Sequence, residues 1–189
     1  HYTFDLQKLH IHFLTGAAHK FYGPKGNGFL YINSNVTIKP LISGGGQERN
    51  MRAGTENVPA IIGFGKACEL AASSMEVDAT RINRLRDQLE HNILISCNGA
   101  VLQAADAKRL PNTSNISFDR LDGEAILFML DDQQISVSTG SACESGSLEA
   151  SHVLKAMGVE SRYLNGSIRF SLGKQTTEND INRLIEVLP

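Results

Sequence analysis

Apolar positions recur at helical spacing over two neighbouring stretches of the chain. Val58, Ile61, Ile62, Ala67, Leu70 and Ala71 follow one another at three- and four-residue steps as far as Ser74. Ile82, Leu85, Leu89 and Ile93 form a second stripe. Asn57 suits a cap and Pro59 a first helical turn, so the spacing predicts two helices, about 58–74 and 78–93. Short apolar runs bounded by glycine or polar residues predict strands: IHFLTGA (11–17), expected to be buried, FLYIN (29–33), NISF (115–118), QISVST (134–139) and SIRFSL (167–172). GEAILFML (123–130) has helical character. LEASHVLKAMG (148–158) predicts a helix ended by its glycine. TENDINRLIEVL (177–188) predicts a last helix, with Thr177 and Asp180 at capping-box spacing. Between these lie a turn, GPKGNG (23–28), and a stretch, SGGG (43–46), whose backbone is free to take paths that side chains block. Mixed strands and helices place the chain among α/β or α+β folds. No internal repeat or low-complexity tract interrupts the pattern.

Composition narrows the function classes. A chain of 189 residues, 41% hydrophobic, is enough for one domain, or for one domain and part of another. With 18 basic and 20 acidic residues the formal net charge is -2, which provides neither a nucleic-acid footprint nor a polybasic membrane patch. No apolar run approaches the length of a membrane span. The opening HYTFDLQKLH has neither an initiator methionine nor a signal-peptide pattern, and the chain is expected to be cut from a longer one. Cys68, Cys97 and Cys143 stand far apart. An odd number without a CxxC pair argues against a disulfide framework and a zinc site, so no metal is expected, and a reducing, cytoplasmic setting is.

Two stretches carry residue types suited to covalent chemistry. His19 and Lys20 follow an apolar run and precede the glycine-rich turn. A strand end mounted on such a turn holds a primary amine rigidly beside open space, as imine formation requires. Cys143 sits in STGSACESGSLEAS (138–151), among small hydroxylated residues with no apolar neighbours to bury it. GSACESGS (140–147) has few contacts to offset the cost of ordering its backbone, about 1–2 kcal/mol per residue, and is expected to be mobile. Such a loop suits a thiol that travels between two places. Cys68, in FGKACELAA, instead reads as a buried structural cysteine on a helix, and Cys97 has no chemical context.

Taken in order, HKFYGPKGNGFLY, GGGQERNMRAGTENVPAIIGFGKACEL, NTSNISFDRLDGEAILFML, SVSTGSACESGSLEASHVLKAMG and SIRFSLGKQTTENDI resemble the cysteine desulfurases, pyridoxal-phosphate enzymes of the class V aminotransferase type. The cysteine stretch is similar to that of the long-loop group, which serves iron–sulfur cluster assembly and nitrogenase-type sulfur supply. The resemblance implies the C-terminal part of a type I pyridoxal-phosphate transferase fold. Residues 1–56 would be the tail of the large cofactor domain, 57–75 a connecting helix and 76–189 the small C-terminal domain. It implies a partner segment ahead of His1, carrying the histidine that stacks on the cofactor ring and the aspartate that pairs with its nitrogen. Without that segment the chain is expected to bind pyridoxal 5'-phosphate weakly or not at all and to be inactive.

Residue by residue, the resemblance assigns Lys20 to covalent attachment of the cofactor and His19 to its phosphate. Thr55, in RAGT, would reach the cofactor phosphate of a partner subunit in a homodimer. Cys143 would be the nucleophile that takes sulfur from L-cysteine and delivers it, as a persulfide, to a sulfur acceptor or iron–sulfur scaffold protein. Arg169, in SIRFSLG, would clamp the substrate carboxylate, a pairing that suits a guanidinium fork. Two positions depart from the family pattern. Ala17 replaces a phosphate-binding serine, with Thr15 two residues earlier on the same side of an extended segment. Glu144 replaces a commoner threonine, and a carboxylate beside Cys143 tends to raise the thiol pKa. The alternatives are a selenocysteine lyase or other class V lyase, and a non-catalytic dimerising or scaffold-binding module.

Overall fold

The computed structural model describes residues 3–139 and 150–188. The chain divides into two compact units, one ending at Met75 and the other beginning at Glu76. In the first, β1 (Phe13–Ala17) and β2 (Gly28–Ile32) pair antiparallel, Thr15 opposite Leu30 and Ala17 opposite Gly28. Both segments form strands as expected, but β1 is not buried. Phe13, Phe29 and Leu30 are all exposed, because a two-stranded ribbon is covered on at most one face by the rest of its unit. A single irregular turn, α1 (Gln47–Asn50), follows the glycine stretch, with Glu48, Arg49 and Asn50 all at positive φ.

The two helices expected at 58–74 and 78–93 are one. α2 (Val58–Ser96) runs for 39 residues through the boundary between the units. Nothing in SSMEVD breaks it, since neither glycine nor proline intervenes. The hydroxyls that might have capped new ends turn back instead, Ser74 Oγ to the Leu70 carbonyl and Thr80 Oγ1 to the Glu76 carbonyl.

The second unit is built on a three-stranded antiparallel sheet in the order β3-β4-β5, from β3 (Ala100–Leu102), β4 (Thr113–Phe118) and β5 (Ser167–Ser171). Its core joins Ile82, Leu85, Leu89 and Ile93 of α2 to Ile116 and Phe118 of β4, and to Ile168, Phe170 and Leu172 at β5. Leu130 of α3 (Gly123–Asp132) and Ile181 and Leu184 of α6 (Glu178–Val187) complete it. Two short helices, α4 (His152–Ala156) and α5 (Ser161–Leu164), precede β5. The helix expected at 148–158 is therefore shorter: Ala150 and Ser151 are non-helical, residues 148–149 lie outside the described segment, and Gly158 ends the element at φ 75°. The strand expected at 134–139 is reduced to one bridge, Ser138 with Arg169. Gln134 takes positive φ, and the Ile135 amide donates to the Leu130 carbonyl, which draws the chain back toward α3 instead of along the sheet.

The capping box of α6 forms as the spacing predicts. The Asp180 amide donates to Thr177 Oγ1, and the Thr177 amide donates to Asp180 Oδ2 at 2.8 Å. That backbone donor, with the Thr177 hydroxyl, holds the Asp180 pKa below the ordinary aspartate value. A carboxylate lowered on folding stabilises at neutral pH and loses its contribution as pH falls through the lowered value. Thr177→Ala is expected to cost about 1 kcal/mol. Urea unfolding of both proteins should show this difference at neutral pH and a narrower one in acid.

Candidate active site

His19 and Lys20 lie on a 3-10 turn, Ala18–Phe21, that follows β1 directly. The expectation of a strand end running straight into the glycine turn is corrected by this one intervening turn. Its backbone is held at both ends. The Ala18 amide donates to the Asn27 carbonyl at 3.0 Å, and the Gly23 amide donates to the Ala18 carbonyl at 2.9 Å. Ala18 is fully buried, while His19 and Lys20 are exposed. Gly23 is required here, since a Cβ on it would lie 2.9 Å from that of Ala18. From outside, α2 braces the turn. Phe64, itself buried, meets the Phe21 ring at 5.4 Å and the Phe29 ring at 5.9 Å between centroids. A Cβ on Gly63 would lie 3.2 Å from the Pro24 ring, so helix and turn approach closely there. Lys20 thus presents its amine from backbone fixed by packing around it.

The second stretch is a loop folded over Ala53. Its amide donates to the Ile42 carbonyl at 3.3 Å, and the Gly54 amide donates to Gln47 Oε1 at 3.1 Å. Gly54, at φ 111°, takes a conformation that side chains disfavour. Thr55 follows it and is exposed, just before Asn57, whose Oδ1 accepts from the Ala60 amide at 3.3 Å and caps α2 as predicted. No hydrogen bond joins Thr55 to the His19–Lys20 turn among the described residues. Thr15 and Ala17 alternate with Gly16 along β1 and so share a face, as the extended reading requires.

Arg169, in the other unit, occupies the middle of β5. Ile168 and Phe170 point to the core, so Ser167, Arg169 and Ser171 face away from it. The register places them opposite Ser117, Asn115 and Thr113 of β4, giving a sheet face polar at every paired position. Ser167 Oγ donates to Asn115 Oδ1 at 3.0 Å, and Arg169 Nε donates to Ser171 Oγ at 3.2 Å. On its free side the Arg169 backbone exchanges two hydrogen bonds with Ser138, at 2.6 and 3.2 Å. The strand carrying Arg169 is thereby tied to Ser138, the first residue of the cysteine stretch. Cys143 and Glu144, and the mobility expected of 140–147, lie outside the described residues. Cys68 contradicts its reading as a buried structural cysteine. It is exposed, because Ala60, Phe64 and Ala67 fill the inward side of α2 and Cys68 lies one residue round from it. Cys97 is half-buried against the core.

Sequence reasoning did not find Phe64, Ser138 or Ser171. Arginine and serine at i and i+2 in SIRFS were the available signal for the last. A primary amine, an imidazole and a hydroxyl, the first two exposed on one rigid turn, fit the attachment and phosphate contacts of pyridoxal phosphate.

Residues 1–184 match the family described as Aminotransferase class-V, and the chain belongs to that family. It is 51% identical over 179 residues to a cysteine desulfurase of Nostoc sp., covering 95% of this chain and 45% of that protein. To the cysteine desulfurase NifS of Azotobacter vinelandii it is 47% identical, covering 98% and 46%. Among solved structures, a NifS-like protein from Rickettsia africae superposes with a TM-score of 0.85 at 37% identity, over 97% of this chain and 48% of that one. The chain thus spans about half the length of the relatives it matches. The expected fold class holds: α/β, and part of a type I pyridoxal-phosphate transferase fold.

Proposed function

We propose that this chain is part of a cysteine desulfurase, which converts L-cysteine to L-alanine and leaves the sulfur as a persulfide on Cys143, and that the chain by itself is inactive. Identity of 51% to a named cysteine desulfurase, spread over 95% of the chain, carries this reading. The rigid turn that presents an exposed Lys20 supports it. Lys20 and His19 hold pyridoxal phosphate, and Thr55 contacts the phosphate bound by a second subunit of a homodimer. When bound, that group supplies an electron sink for the substrate's carbon framework. Lys20 would also carry protons at its Nζ. Arg169 takes the substrate carboxylate in a charge-assisted pair and so orients the amino acid. The Cys143 thiolate accepts the substrate sulfur. The balance is one thiol and one L-cysteine in, one persulfide and one L-alanine out, with no external oxidant. The persulfide then passes to an acceptor or iron–sulfur scaffold protein in a reducing, cytoplasmic setting. Residues 1–56 belong on this reading to the large domain, 57–75 to a connecting helix and 76–189 to the small domain.

The test is stoichiometry. The cofactor-loaded enzyme with the upstream segment present, given L-cysteine and a thiol reductant, is expected to release alanine and sulfide in equal amounts, whereas the chain alone is expected to release neither. Without reductant, peptide mass spectrometry should find one extra sulfur on the Cys143 peptide. Turnover of L-selenocysteine with none of L-cysteine would favour the lyase alternative.

A further inference from the structure

We propose that Ser171 is a positioning residue that aims the Arg169 guanidinium at the substrate carboxylate; this rests on the desulfurase reading of Arg169. Arg169 and Ser171 stand two residues apart on one face of β5, away from the core. Arg169 Nε donates to Ser171 Oγ at 3.2 Å, and no other side-chain hydrogen bond or ion pair engages this guanidinium among the described residues. A guanidinium offers a carboxylate two kinds of edge: a side edge that includes Nε, and the end formed by its two terminal nitrogens. Ser171 occupies Nε. The hydroxyl therefore withdraws the side edge and leaves the end as the bidentate fork. It also restrains the terminal torsions of a long, flexible side chain.

The surroundings make the restraint effective. Asn115 and Ser138 pair with the Arg169 backbone from both sides, so the strand beneath the side chain is fixed. Thr113 pairs opposite Ser171 and extends the polar face to the end of the strand. Ser171 itself is exposed and contributes nothing to the apolar core, so its role is separable from folding.

Two measurements test the proposal. In the cofactor-loaded enzyme, S171A is expected to raise KM for L-cysteine about fivefold, as loss of one exposed hydrogen bond of about 1 kcal/mol implies, with kcat within about twofold. S171T keeps the hydroxyl and should restore KM, and both variants should melt with the unsubstituted protein. An unchanged KM, or a defect that threonine fails to restore, overturns the proposal. The second measurement does not depend on activity. In nitrogen-15 spectra of this chain, the Arg169 Nε–H signal should shift and exchange faster with water in S171A than in S171T. An unperturbed signal overturns the proposal, whereas absence of desulfuration by the unsubstituted enzyme alone would sink only the reading of function.

Discussion

Replacing Cys143 by alanine in the cofactor-loaded enzyme is expected to lower sulfide release from L-cysteine by at least about a thousandfold, which is about 4 kcal/mol of barrier. On the desulfurase reading this change removes the covalent nucleophile, and neither Cys68 nor Cys97 stands in a stretch that reads as a substitute. Both lie on or just beyond α2, Cys68 exposed on the helix and Cys97 half-buried behind its C-terminal end. Lys20, His19 and Thr55 are untouched by the change, so the near-visible absorption of bound pyridoxal phosphate should persist. Loss of turnover with retained colour separates a missing nucleophile from a missing cofactor site. Substantial remaining desulfuration in the alanine variant would remove Cys143 from the mechanism. Glu144 adds a refinement. Exchanging it for threonine removes a like-charged neighbour of the thiolate and is expected to move the alkaline rise of the activity to lower pH.

Glu90→Ala is expected to destabilise the second unit by about 3–5 kcal/mol, the range for breaking a buried ion pair from one side. Glu90 is 6% exposed on α2, and Arg86, one turn earlier, is 8% exposed. Arg109 grips the carboxylate with both terminal nitrogens, at 2.6 and 3.0 Å. Arg86 Nε lies 3.6 Å from the same carboxylate, while its Nη1 donates to the Leu110 carbonyl at 2.8 Å. Glu90 in turn raises the Arg109 pKa, chiefly through these hydrogen bonds. The cluster fastens the connection between β3 and β4 to the helix. Without Glu90, the Arg86 and Arg109 guanidinium groups both lose this carboxylate, while Asp87 still accepts from Arg86. Urea denaturation of the variant should give a large fall in midpoint with an unchanged slope. A loss below about 1 kcal/mol, the range of exposed pairs, would show that water screens the cluster.

Elements whose hydrophobic period matched their burial were legible in the chain. Ile82, Leu85, Leu89 and Ile93 recur at helical spacing and fill the core, and Thr177 with Asp180 announced the start of α6. Where a contact between distant segments decides the conformation, the pattern misled. QISVST has strand composition, but only Ser138 finds a partner, and the preceding turn at Gln134 draws Ile135 back to Leu130. The break expected near Ser74 rested on a lapse in periodicity. A helix needs no apolar stripe where its hydroxyls bond its own carbonyls and no residue forbids its dihedrals.

The order of motifs along the chain was enough to determine the family, and the roles proposed for Lys20, Cys143 and Arg169 follow from that resemblance, because residue type sets which chemistry is available. Only tertiary structure decided how those groups are held. That the Lys20 turn is pinned through Ala18, Gly23 and Phe64 depends on a close approach between segments more than thirty residues apart. That Arg169 stands in a polar sheet face, with Ser171 on its Nε and Ser138 along its backbone, depends on strand register. Alternation in a single strand divides its residues between two faces. Which residues of other strands share each face is set by long-range pairing, whose partners no local period encodes.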